Sequence, residues 1–591
     1  MRTVSLLQMD PKVGDLGGNA TRIEGLLRQA EASGGSVAVS TELAVCGYPP
    51  RDLLLESDFV DRAMAMALDI SATMPALIGT PLPPESARQR PGNGVVRVGR
   101  SSGSLTGQTE GQVVARKQLL PTYDVFDEAR YFEPAHRTGL ARSCGGMTFG
   151  VTVCEDVWQS AGQTPSSYQQ DPVEHIAEWG RQGVDIDATV NLSASPYHSQ
   201  KFQTRLLVAR HVASVLQHPF LLANQVGGND DLLFDGRSLA VWPSGHAVVA
   251  PAWQEGVLTV HLDDPELCTW TASNADDALA HGEPVLCHLS PEEDGSSLDG
   301  SIDDLAHAVI TGLSDYCRKS GIQSMVLGLS GGIDSAVAAC VASAAVGSEH
   351  VTGVAMPSRF SSEHSLTDAE HTATALGMTY AVHPIDTMHR AVEGELGGVL
   401  DQGHAVAGEN VQARLRGLTV MAYANAKGSM AVTTGNKSEI AQGYCTLYGD
   451  MAGGYAPLSD VYKMEVYALA EWFNRQAIAA GRTPPVSAST LEKPPSAELA
   501  PNQQDDQTLP PYEVLDEVLR AHIEGGLSAE AMVASGMDEA TVLDVLQRLE
   551  RNEHKRWQMP PGPRVSSRAF GQGWRRPLAS HHLWRSSQRS R

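Results

Sequence analysis

Residues 325–342 read MVLGLSGGIDSAVAACVA, and they indicate the fold class of the second half of the chain. An apolar run ends in a loop that holds three glycines, and a helix-like run of small residues follows at once. Glycine has no Cβ and lets the backbone approach a ligand, while the next helix presents free N–H groups and its positive dipole end. The stretch therefore predicts a phosphate-binding turn between a strand and a helix.

This loop differs from the phosphate loop of kinases and GTPases. The G-x-x-x-x-G-K-[ST] spacing is absent and the loop contains no lysine for the β- and γ-phosphates. Asp334 can instead bind a magnesium ion that bridges phosphates, and the hydroxyls of Ser330 and Ser335 can donate to the same oxygens. A glycine-rich turn without any ligand is the alternative interpretation.

Length and composition limit the class of protein. A chain of 591 residues is too long for one hydrophobic core, so at least two domains are expected. The N-terminus meets acid and proline too soon for a signal peptide, and no run of eighteen apolar residues occurs, so a cytoplasmic protein without membrane contact is expected. Eight cysteines without a CxxC pair favour reduced thiols over disulfides or a structural metal.

Net charge bears on the partners. The formal charge of -25 argues against nucleic acid and acidic membranes, which require a basic surface, but it does not exclude a nucleotide ligand. Residues 551–591 are rich in arginine, and we interpret their end, 578–591, as a solvated basic tail.

The order of apolar runs predicts α/β layering in both halves. Short strand-like runs in the first half alternate with helix-like segments such as Ala20–Gly34 and Lys201–Gln217, and residues 233–253 resemble hairpins. A polar, acidic, Gly/Ser-bearing stretch predicts a linker over residues 271–300. In the second half, strand-like runs separated by helical segments predict a doubly wound parallel sheet, and the Pro-rich residues 483–512 predict an extended loop.

Cys154 ends the apolar run MTFGVTVC, which is where an α/β sheet exposes a nucleophile. A thiol that attacks an amide needs a base for its proton and a cation for the negative charge that develops. Glu42, at the end of a strand-like run, can be the base, and Lys117 can be the cation. A buried, inert cysteine is the alternative, and spacing alone does not select these partners.

Four ordered blocks then resemble the nitrilase superfamily: TELAVCGYPPRDLL, RKQLLPTYDVFDEARYF, TVCEDVW and NLSASPYHSQK. The resemblance implies an α-β-β-α sandwich over residues 1–270 that acts as a glutaminase. Thr41 stands where relatives often have proline, which leaves the following glutamate in register. By the same resemblance the site consists of the catalytic Glu42, Lys117 and Cys154, the supporting Glu128, and the glutamine-binding Tyr123, Glu155, Ser195 and Lys201.

The loop LSGGIDS is similar to that of ATP pyrophosphatases, which transfer AMP to a substrate oxygen and release pyrophosphate. Six further blocks resemble the glutamine-dependent NAD synthetase family: MPSRFSSEHSLTDAE, ENVQARLRG, TTGNKSEIAQGYCTLYGDMAGG, LPPYEVLD, HKRWQMPPGPRV and FGQGWRRPL. The resemblance, which covers nearly the whole chain, implies an adenine nucleotide alpha hydrolase-like synthetase domain over residues 301–577. His554 stands where relatives often carry tyrosine.

The resemblance also implies ligands for this second site. The ATP-binding residues would be Gly328, Leu329, Ser330, Gly331, Gly332, Ile333, Asp334, Ser335 and Thr434. The deamido-NAD-binding residues would be Asn410, Glu439, Tyr444, Cys445, Thr446, Leu447 and Lys555. Asp334 and Glu439 would hold Mg²⁺. Lys437 is either a cationic helper at this site or a solvated surface lysine, Arg414 and Arg416 can merely line a solvated helix face, and Tyr444 or Tyr448 can be core aromatics.

The implied reaction uses glutamine, ATP and deamido-NAD. Because ammonia released into water is protonated and diffuses away, an internal tunnel between the two sites is expected, and the resemblance implies a homo-oligomer. Two other functions stay open: an amidotransferase that acts on a purine nucleotide or on tRNA, and a non-catalytic binding protein with decayed sites. The acidic charge disfavours tRNA, and the intact acids, lysine and cysteine disfavour decay.

Overall fold

The computed structural model describes residues 2–99, 113–273, 285–400, 406–495, 499–500 and 505–579. The chain divides into two compact units, Met1–Ser301 and Ile302–Arg591. Within the described ranges, no helix combines the length and the apolar character that crossing a membrane requires.

The first unit contains five described helices and sixteen described strands. The helices are α1 Leu16–Ala32, α2 Phe59–Asp69, α3 Glu128–Tyr131, α4 Pro172–Arg181 and α5 Lys201–Leu216. The strands are β1 Thr3–Gln8, β2 Val37–Val39, β3 Ala76–Leu82, β4 Gly92–Val98, β5 Val113–Arg116, β6 Gly139–Cys144, β7 Met147–Val153, β8 Ala188–Ser193, β9 Phe220–Asn224, β10 Val226–Asn229, β11 Leu232–Asp235, β12 Leu239–Val241, β13 Ala247–Val249, β14 Gly256–His261, β15 Thr269–Ala272 and β16 Cys287–Leu289.

Two seven-stranded sheets form the centre of this unit. The first sheet has the order β15-β14-β1-β2-β3-β4-β5, and the second has the order β16-β13-β12-β9-β8-β7-β6. One apolar cluster lies between the sheets, a second lies between the first sheet and α1 and α2, and a third lies between the second sheet and α4 and α5. These three interfaces confirm the predicted α-β-β-α sandwich.

Helix α1 begins four residues before the predicted Ala20. The Asp15 carboxylate accepts a hydrogen bond from the Gly18 N–H and caps the first turn. The glycines at positions 17 and 18 disfavour a helix by propensity alone, so the cap and the burial of Leu16 explain the earlier start.

The interval predicted as hairpins, residues 233–253, contains the antiparallel pair β12 and β13. The interval predicted as a linker, residues 271–300, contains β16, which pairs antiparallel with β13 and so belongs to the second sheet. Residues 274–284 of that interval lie outside the described residues.

The second unit contains twelve described helices and four described strands. The helices are α6 Ile302–Ser320, α7 Ile333–Val346, α8 Glu363–Leu376, α9 Asp386–Leu400, α10 Val406–Lys427, α11 Lys437–Gln442, α12 Lys463–Ala479, α13 Ala488–Glu492, α14 Tyr512–Ile523, α15 Ala529–Ala534, α16 Glu539–Arg551 and α17 Glu553–Arg556. The strands are β17 Met325–Gly328, β18 Val351–Ala355, β19 Thr379–Val382 and β20 Met430–Val432.

These four strands form a parallel sheet in the order β19-β18-β17-β20. The order reverses beside β17, which makes the carboxyl end of that strand a topological switch point. The doubly wound sheet is therefore confirmed, and the loop 328–335 leaves it where such sheets bind ligands. The Pro-rich stretch includes the short helix α13, and residues 580–591 of the predicted tail lie outside the described residues.

Candidate active sites

The first candidate site begins where β7 ends. Cys154 follows this strand directly, is buried, and has a φ of 41°, in the left-handed region that residues with a Cβ rarely adopt. Such backbone strain is kept where surrounding contacts enforce it, and it is frequent at functional sites. The sharp turn separates the thiol from the line of side chains along the strand.

Asp156 supplies the contacts that hold this turn. Its carboxylate accepts hydrogen bonds from the N–H groups of Val153, Gln118 and Leu119, each at 2.9 Å. Two of these donors follow Lys117 in the chain, and the third precedes Cys154. Asp156, whose role the sequence analysis missed, therefore links the cysteine turn to the lysine segment.

Lys117 lies between two carboxylates. Its fully buried Nζ donates to Glu42 Oε1 at 2.7 Å and to Glu128 Oε1 at 2.8 Å. Asn93 Nδ2 donates to the same oxygen of Glu42 at 2.7 Å, and the Tyr48 hydroxyl donates to Glu128 at 2.8 Å. The structure thus brings together three of the predicted residues and adds two polar partners that the sequence analysis did not name.

Burial and charge act in opposite directions on these groups. Burial alone would lower the pKa of the Lys117 ammonium, but the charges of Glu128 and Glu42 outweigh it and hold that pKa well above its usual range. Burial, followed by the Glu42 charge, raises the pKa of the Cys154 thiol well above its usual range, and Lys117 opposes this shift. The resting thiol is therefore protonated, so it requires a base at the moment of attack.

Glu155 faces two phenols. The Tyr123 hydroxyl donates to its carboxylate at 2.9 Å, and the Tyr168 hydroxyl donates at 3.2 Å. Burial raises the pKa of Glu155, and the charge of Lys117 and these hydrogen bonds oppose the shift. The structure thus brings together two of the candidate glutamine-binding residues, Tyr123 and Glu155. Tyr168 was missed because nothing in its local sequence distinguishes it from a core aromatic.

The remaining predicted glutamine ligands flank the same elements. Ser195 is buried, and its N–H donates to Asn224 Oδ1 at 2.9 Å. The preceding N–H, of Ala194, donates to Glu42 Oε2 at 3.1 Å. Lys201 begins α5, and its Nζ lies 4.3 Å from the ring centre of Trp158, in the turn after Cys154.

The second candidate site is built on the loop after β17. Gly331 has a φ of +79°, and a Cβ built there would lie 2.2 Å from the Ser365 carbonyl oxygen, so only glycine fits. The Ser335 hydroxyl donates to the Gly332 carbonyl at 2.9 Å, and the Gly332 N–H donates to Ser330 Oγ at 3.2 Å. The loop is therefore a fixed turn at the N-terminus of α7, as expected for an anion site.

A cavity of about 530 Å³ opens above this loop. The predicted ATP residues on its wall are Gly328, Leu329, Ser330, Gly332, Ile333, Asp334, Ser335 and Thr434. The predicted deamido-NAD residues on its wall are Asn410, Glu439, Tyr444, Cys445, Thr446 and Lys555. Gly331 packs against the Ser365 backbone instead, and Leu447 lines a neighbouring cavity together with Arg414.

One cation on the wall of this cavity, Lys463, was missed by the sequence analysis. Its buried Nζ donates to Asp334 Oδ2 at 2.5 Å and to Glu439 Oε1 at 2.9 Å. Burial raises the pKa of Glu439 to about 7, and Lys463 opposes this shift. Lys463 is the first residue of α12, where the helix dipole disfavours a cation unless acids compensate it, but Lys437 has the same position in α11, so this position alone does not select Lys463.

Lys437 has neither of the two roles considered for it. Its Nζ is buried and lies 2.8 Å from Asp460 Oδ1 and 2.7 Å from Ser566 Oγ. It is not a solvated surface lysine, because Asp460 offsets its charge inside the unit, and it is absent from the described cavity wall. Arg416 does line the cavity, so it is more than part of a solvated helix face.

The acids of this cavity suit a magnesium ion. Asp334 Oδ2 and Glu439 Oε1 converge on one point, since both contact the same ammonium group, and Asn436 Nδ2 orients Asp334 through a 2.8 Å hydrogen bond. Mg²⁺ takes oxygen ligands and is held at nucleotide sites by one or two carboxylates together with substrate phosphates. The donor set therefore fits this ion.

Fold and site geometry define a class: a nitrilase-like unit followed by a unit of the ATP pyrophosphatase type. Comparison with protein families agrees with this class. Residues 3–271 match the model described as carbon-nitrogen hydrolase, and residues 305–560 match the model described as NAD synthase.

Two curated relatives and one solved structure extend the match to nearly the whole chain. The chain is 39% identical to a glutamine-dependent NAD(+) synthetase of Synechocystis sp., over 98% of this chain and 99% of the relative. It is 38% identical to one from Thermotoga maritima, with 98% of each covered. The glutamine-dependent NAD+ synthetase of Acinetobacter baumannii in complex with ADP aligns with a TM-score of 0.69 at 30% identity, again over 98% of each chain. The chain therefore belongs to the glutamine-dependent NAD(+) synthetase family, whose members are ligases with glutamine as amido donor.

Proposed function

We propose that this chain converts deamido-NAD to NAD, with ATP as the activating substrate and the side-chain amide of glutamine as the nitrogen source. The single observation that carries the proposal is the cavity after β17. Most of the glycine-rich loop, including Asp334, and six of the seven residues expected to contact deamido-NAD line one space, as a reaction between two nucleotides requires. ATP as a substrate agrees with the family to which the chain belongs.

In the first unit, we assign the nucleophile to Cys154 and the base to Glu42. The thiol sulfur attacks the amide carbon as Glu42 takes its proton, and Lys117 stabilises the negative charge that develops on the oxygen. The C–N bond then breaks, Glu42 returns the proton, and ammonia leaves. Water hydrolyses the resulting thioester to glutamate, with Glu42 again as the base. Glu128 supports this arrangement through its 2.8 Å hydrogen bond from Lys117.

Glu155 is assigned to the α-ammonium group of glutamine, with Tyr123 and Tyr168 holding its carboxylate. Tyr123→Phe removes one of the two phenol donors. We expect the KM for glutamine to rise about 10-fold with little change in kcat, because a charge-assisted hydrogen bond contributes about 1.5 kcal/mol to binding. Steady-state glutaminase assays measure this.

Tyr131→Phe is the matched control for that change. Its hydroxyl donates to Asp52 at 2.7 Å on an exposed part of the same unit, so we expect an unchanged KM. Equal KM values for Tyr123→Phe and the unmodified enzyme would contradict the role given to Glu155.

Asp156 is a positioning residue in this scheme. The Asp156 carboxylate accepts hydrogen bonds from three N–H groups, and in Asp156→Asn the side-chain NH₂ group cannot accept them. The turn at Cys154 therefore loses part of its support. We expect kcat for glutamine hydrolysis to fall about 10- to 100-fold, as outer-shell changes typically do, while KM stays near its original value. Unaltered NAD synthesis from ammonium checks that the protein is folded, and a raised KM at constant kcat would argue against positioning.

In the second unit, the nicotinate carboxylate oxygen attacks the α-phosphorus of ATP and pyrophosphate leaves. The N–H groups of the 328–335 loop bind the pyrophosphate oxygens, and Lys463 offsets the charge of the two acids beside it. Bound by Asp334 and Glu439, Mg²⁺ would neutralise charge on the phosphates. Ammonia then attacks the activated carboxyl carbon, AMP leaves, and the amide of NAD results.

Ammonia transfer inside the protein is the last part of the proposal. A closed path keeps ammonia unprotonated and prevents its loss to water. The homo-oligomer implied by the family resemblance belongs to the same proposal and is measured by light scattering.

The test of this function is product formation from the intact enzyme. With ATP, magnesium, deamido-NAD and glutamine, we expect NAD, AMP, pyrophosphate and glutamate in equal amounts. Release of AMP with deamido-NAD but not with a purine nucleotide acceptor supports the assignment. Absence of NAD with both glutamine and ammonium would refute it.

A further inference from the structure

Three potential metal-binding side chains converge at one rim of the first unit. His246 lies in the turn between β12 and β13, and His288 lies in β16, so both belong to the second sheet. Glu266 lies in the turn Pro265–Leu267, between β14 and β15 of the first sheet. One ligand atom from each residue lies within 4.8 Å of the other two, and the two imidazole ring centres are 5.7 Å apart.

The backbone that carries these side chains is fixed by hydrogen bonds. From α5, Arg210 donates to the Gly245 carbonyl at 3.0 Å and to the Ser290 carbonyl at 2.6 Å, which anchors the chain beside both histidines. Trp242 Nε1 donates to the Leu262 carbonyl at 2.9 Å and so connects the residue after β12 to the residue after β14. Because this backbone is fixed, the three side chains could reach a shared metal ion by side-chain rotation alone.

His246 has an unmet hydrogen-bonding requirement. Its Nε2 atom is buried from solvent, and among the described residues it has no hydrogen-bond partner. Leaving a buried polar atom unpaired typically costs about 1–3 kcal/mol. A metal ion bound to this nitrogen would remove that cost, since a neutral imidazole coordinates through its free nitrogen.

We propose that His246, Glu266 and His288 form a structural Zn²⁺ site that links the two sheets at this rim. Two imidazoles and one carboxylate are a zinc donor set, and water or a small anion would complete a tetrahedron. Tetrahedral Zn–N and Zn–O bonds place the ligand atoms about 3.3 Å apart, so modest rotation of the exposed Glu266 and His288 side chains towards His246 would close the present separation. This site is independent of the assigned reaction, because none of its residues belongs to the candidate active sites.

The test is zinc binding to the full-length chain after removal of metal by a chelator. All variants carry Cys154→Ala, so that this thiol does not bind zinc. A chromophoric chelator competes for zinc with the parent, with His288→Ala, with Glu266→Gln and with the control His350→Ala. His350 lies in the second unit and pairs only weakly, at 3.8 Å, with the exposed Glu349.

The parent and the control are expected to bind one tight zinc ion. Both rim variants should bind zinc at least about 100-fold more weakly. Loss of a residue that only contacts a metal ligand already weakens metal binding up to about 100-fold, and these two residues are proposed as ligands themselves. Zinc should also raise the unfolding temperature of the parent and the control but not of the rim variants. A circular dichroism spectrum equal to that of the parent establishes that each variant is folded. If His288→Ala does not fold, the comparison rests on Glu266→Gln, whose side chain is exposed. Equal zinc affinity in the parent and a folded rim variant, or no tight ion in the parent, would overturn the proposal.

Discussion

Cys154→Ala is expected to abolish NAD synthesis from glutamine while NAD synthesis from ammonium continues. The variant lacks the sulfur that attacks the amide, and removal of a covalent nucleophile costs about 10⁴-fold or more in turnover. The small alanine also fits the buried position at the end of β7, so the fold should persist. Parallel assays with the two nitrogen sources measure the separation directly.

Cys144→Ala is the matched control for this experiment. Cys144 ends β6 and is equally buried in the cluster between the sheets, but it has no role in the proposed chemistry. It should retain both activities. Glutamine-dependent turnover by Cys154→Ala, or loss of ammonium-dependent turnover in a folded Cys154→Ala protein, would contradict the division of labour between the two units.

Lys463→Met is expected to lower NAD synthesis from both nitrogen sources and to retain glutaminase activity, in contrast to Cys154→Ala. It leaves the partly buried Asp334 and Glu439 beside each other without their shared cation, and loss of the buried partner of such an ion pair costs about 3 kcal/mol of folding free energy. We expect NAD synthesis from both glutamine and ammonium to fall about 10²- to 10³-fold, because the charge at the phosphate site changes. Glutaminase activity should remain measurable. Denaturant unfolding and the two synthesis assays are the measurements.

Lys427→Met provides the control, because Lys427 is an exposed lysine of the same unit whose Nζ contacts Thr352 Oγ1 at 3.2 Å. Its stability and both activities should match those of the unmodified enzyme. If Lys463→Met retained full synthesis with both nitrogen sources, the cation would have no part in the reaction. The ion pair would then be structural only.

Much of the fold follows from local sequence. The apolar runs around Cys154 and before Gly328 are long enough to be recognised as buried strands, and the glycines after the second of these strands identify its turn. The strand β16 was not predicted, because three residues within a polar, acidic stretch carry no periodic signal, and pairing with β13 is a long-range contact. The start of α1 was placed too late, because the two glycines of its first turn have low helix propensity and the Asp15 cap that stabilises the turn was not recognised.

Site residues that directly follow a strand could be predicted from the sequence. Site residues that tertiary packing brings in from a distant element could not. Sequence gives no means of distinguishing Lys437 from Lys463, since both begin helices in the same region. Tertiary packing distinguishes them. Lys437 pairs with Asp460 away from the cavity wall, whereas Lys463 pairs with Asp334 and Glu439 at the wall. Asn93 was missed for the same reason, because its partner Glu42 lies 51 residues away in the chain.

In the proposed function, the amide nitrogen of NAD comes from glutamine through a reaction at Cys154. The most direct measurement supplies glutamine labelled with ¹⁵N in its side-chain amide, together with an equal concentration of unlabelled ammonium, and determines the ¹⁵N content of NAD by mass spectrometry. We expect most of the NAD formed by the intact enzyme to carry ¹⁵N and the NAD formed by Cys154→Ala to carry none. Unlabelled NAD from the intact enzyme would contradict the proposed function.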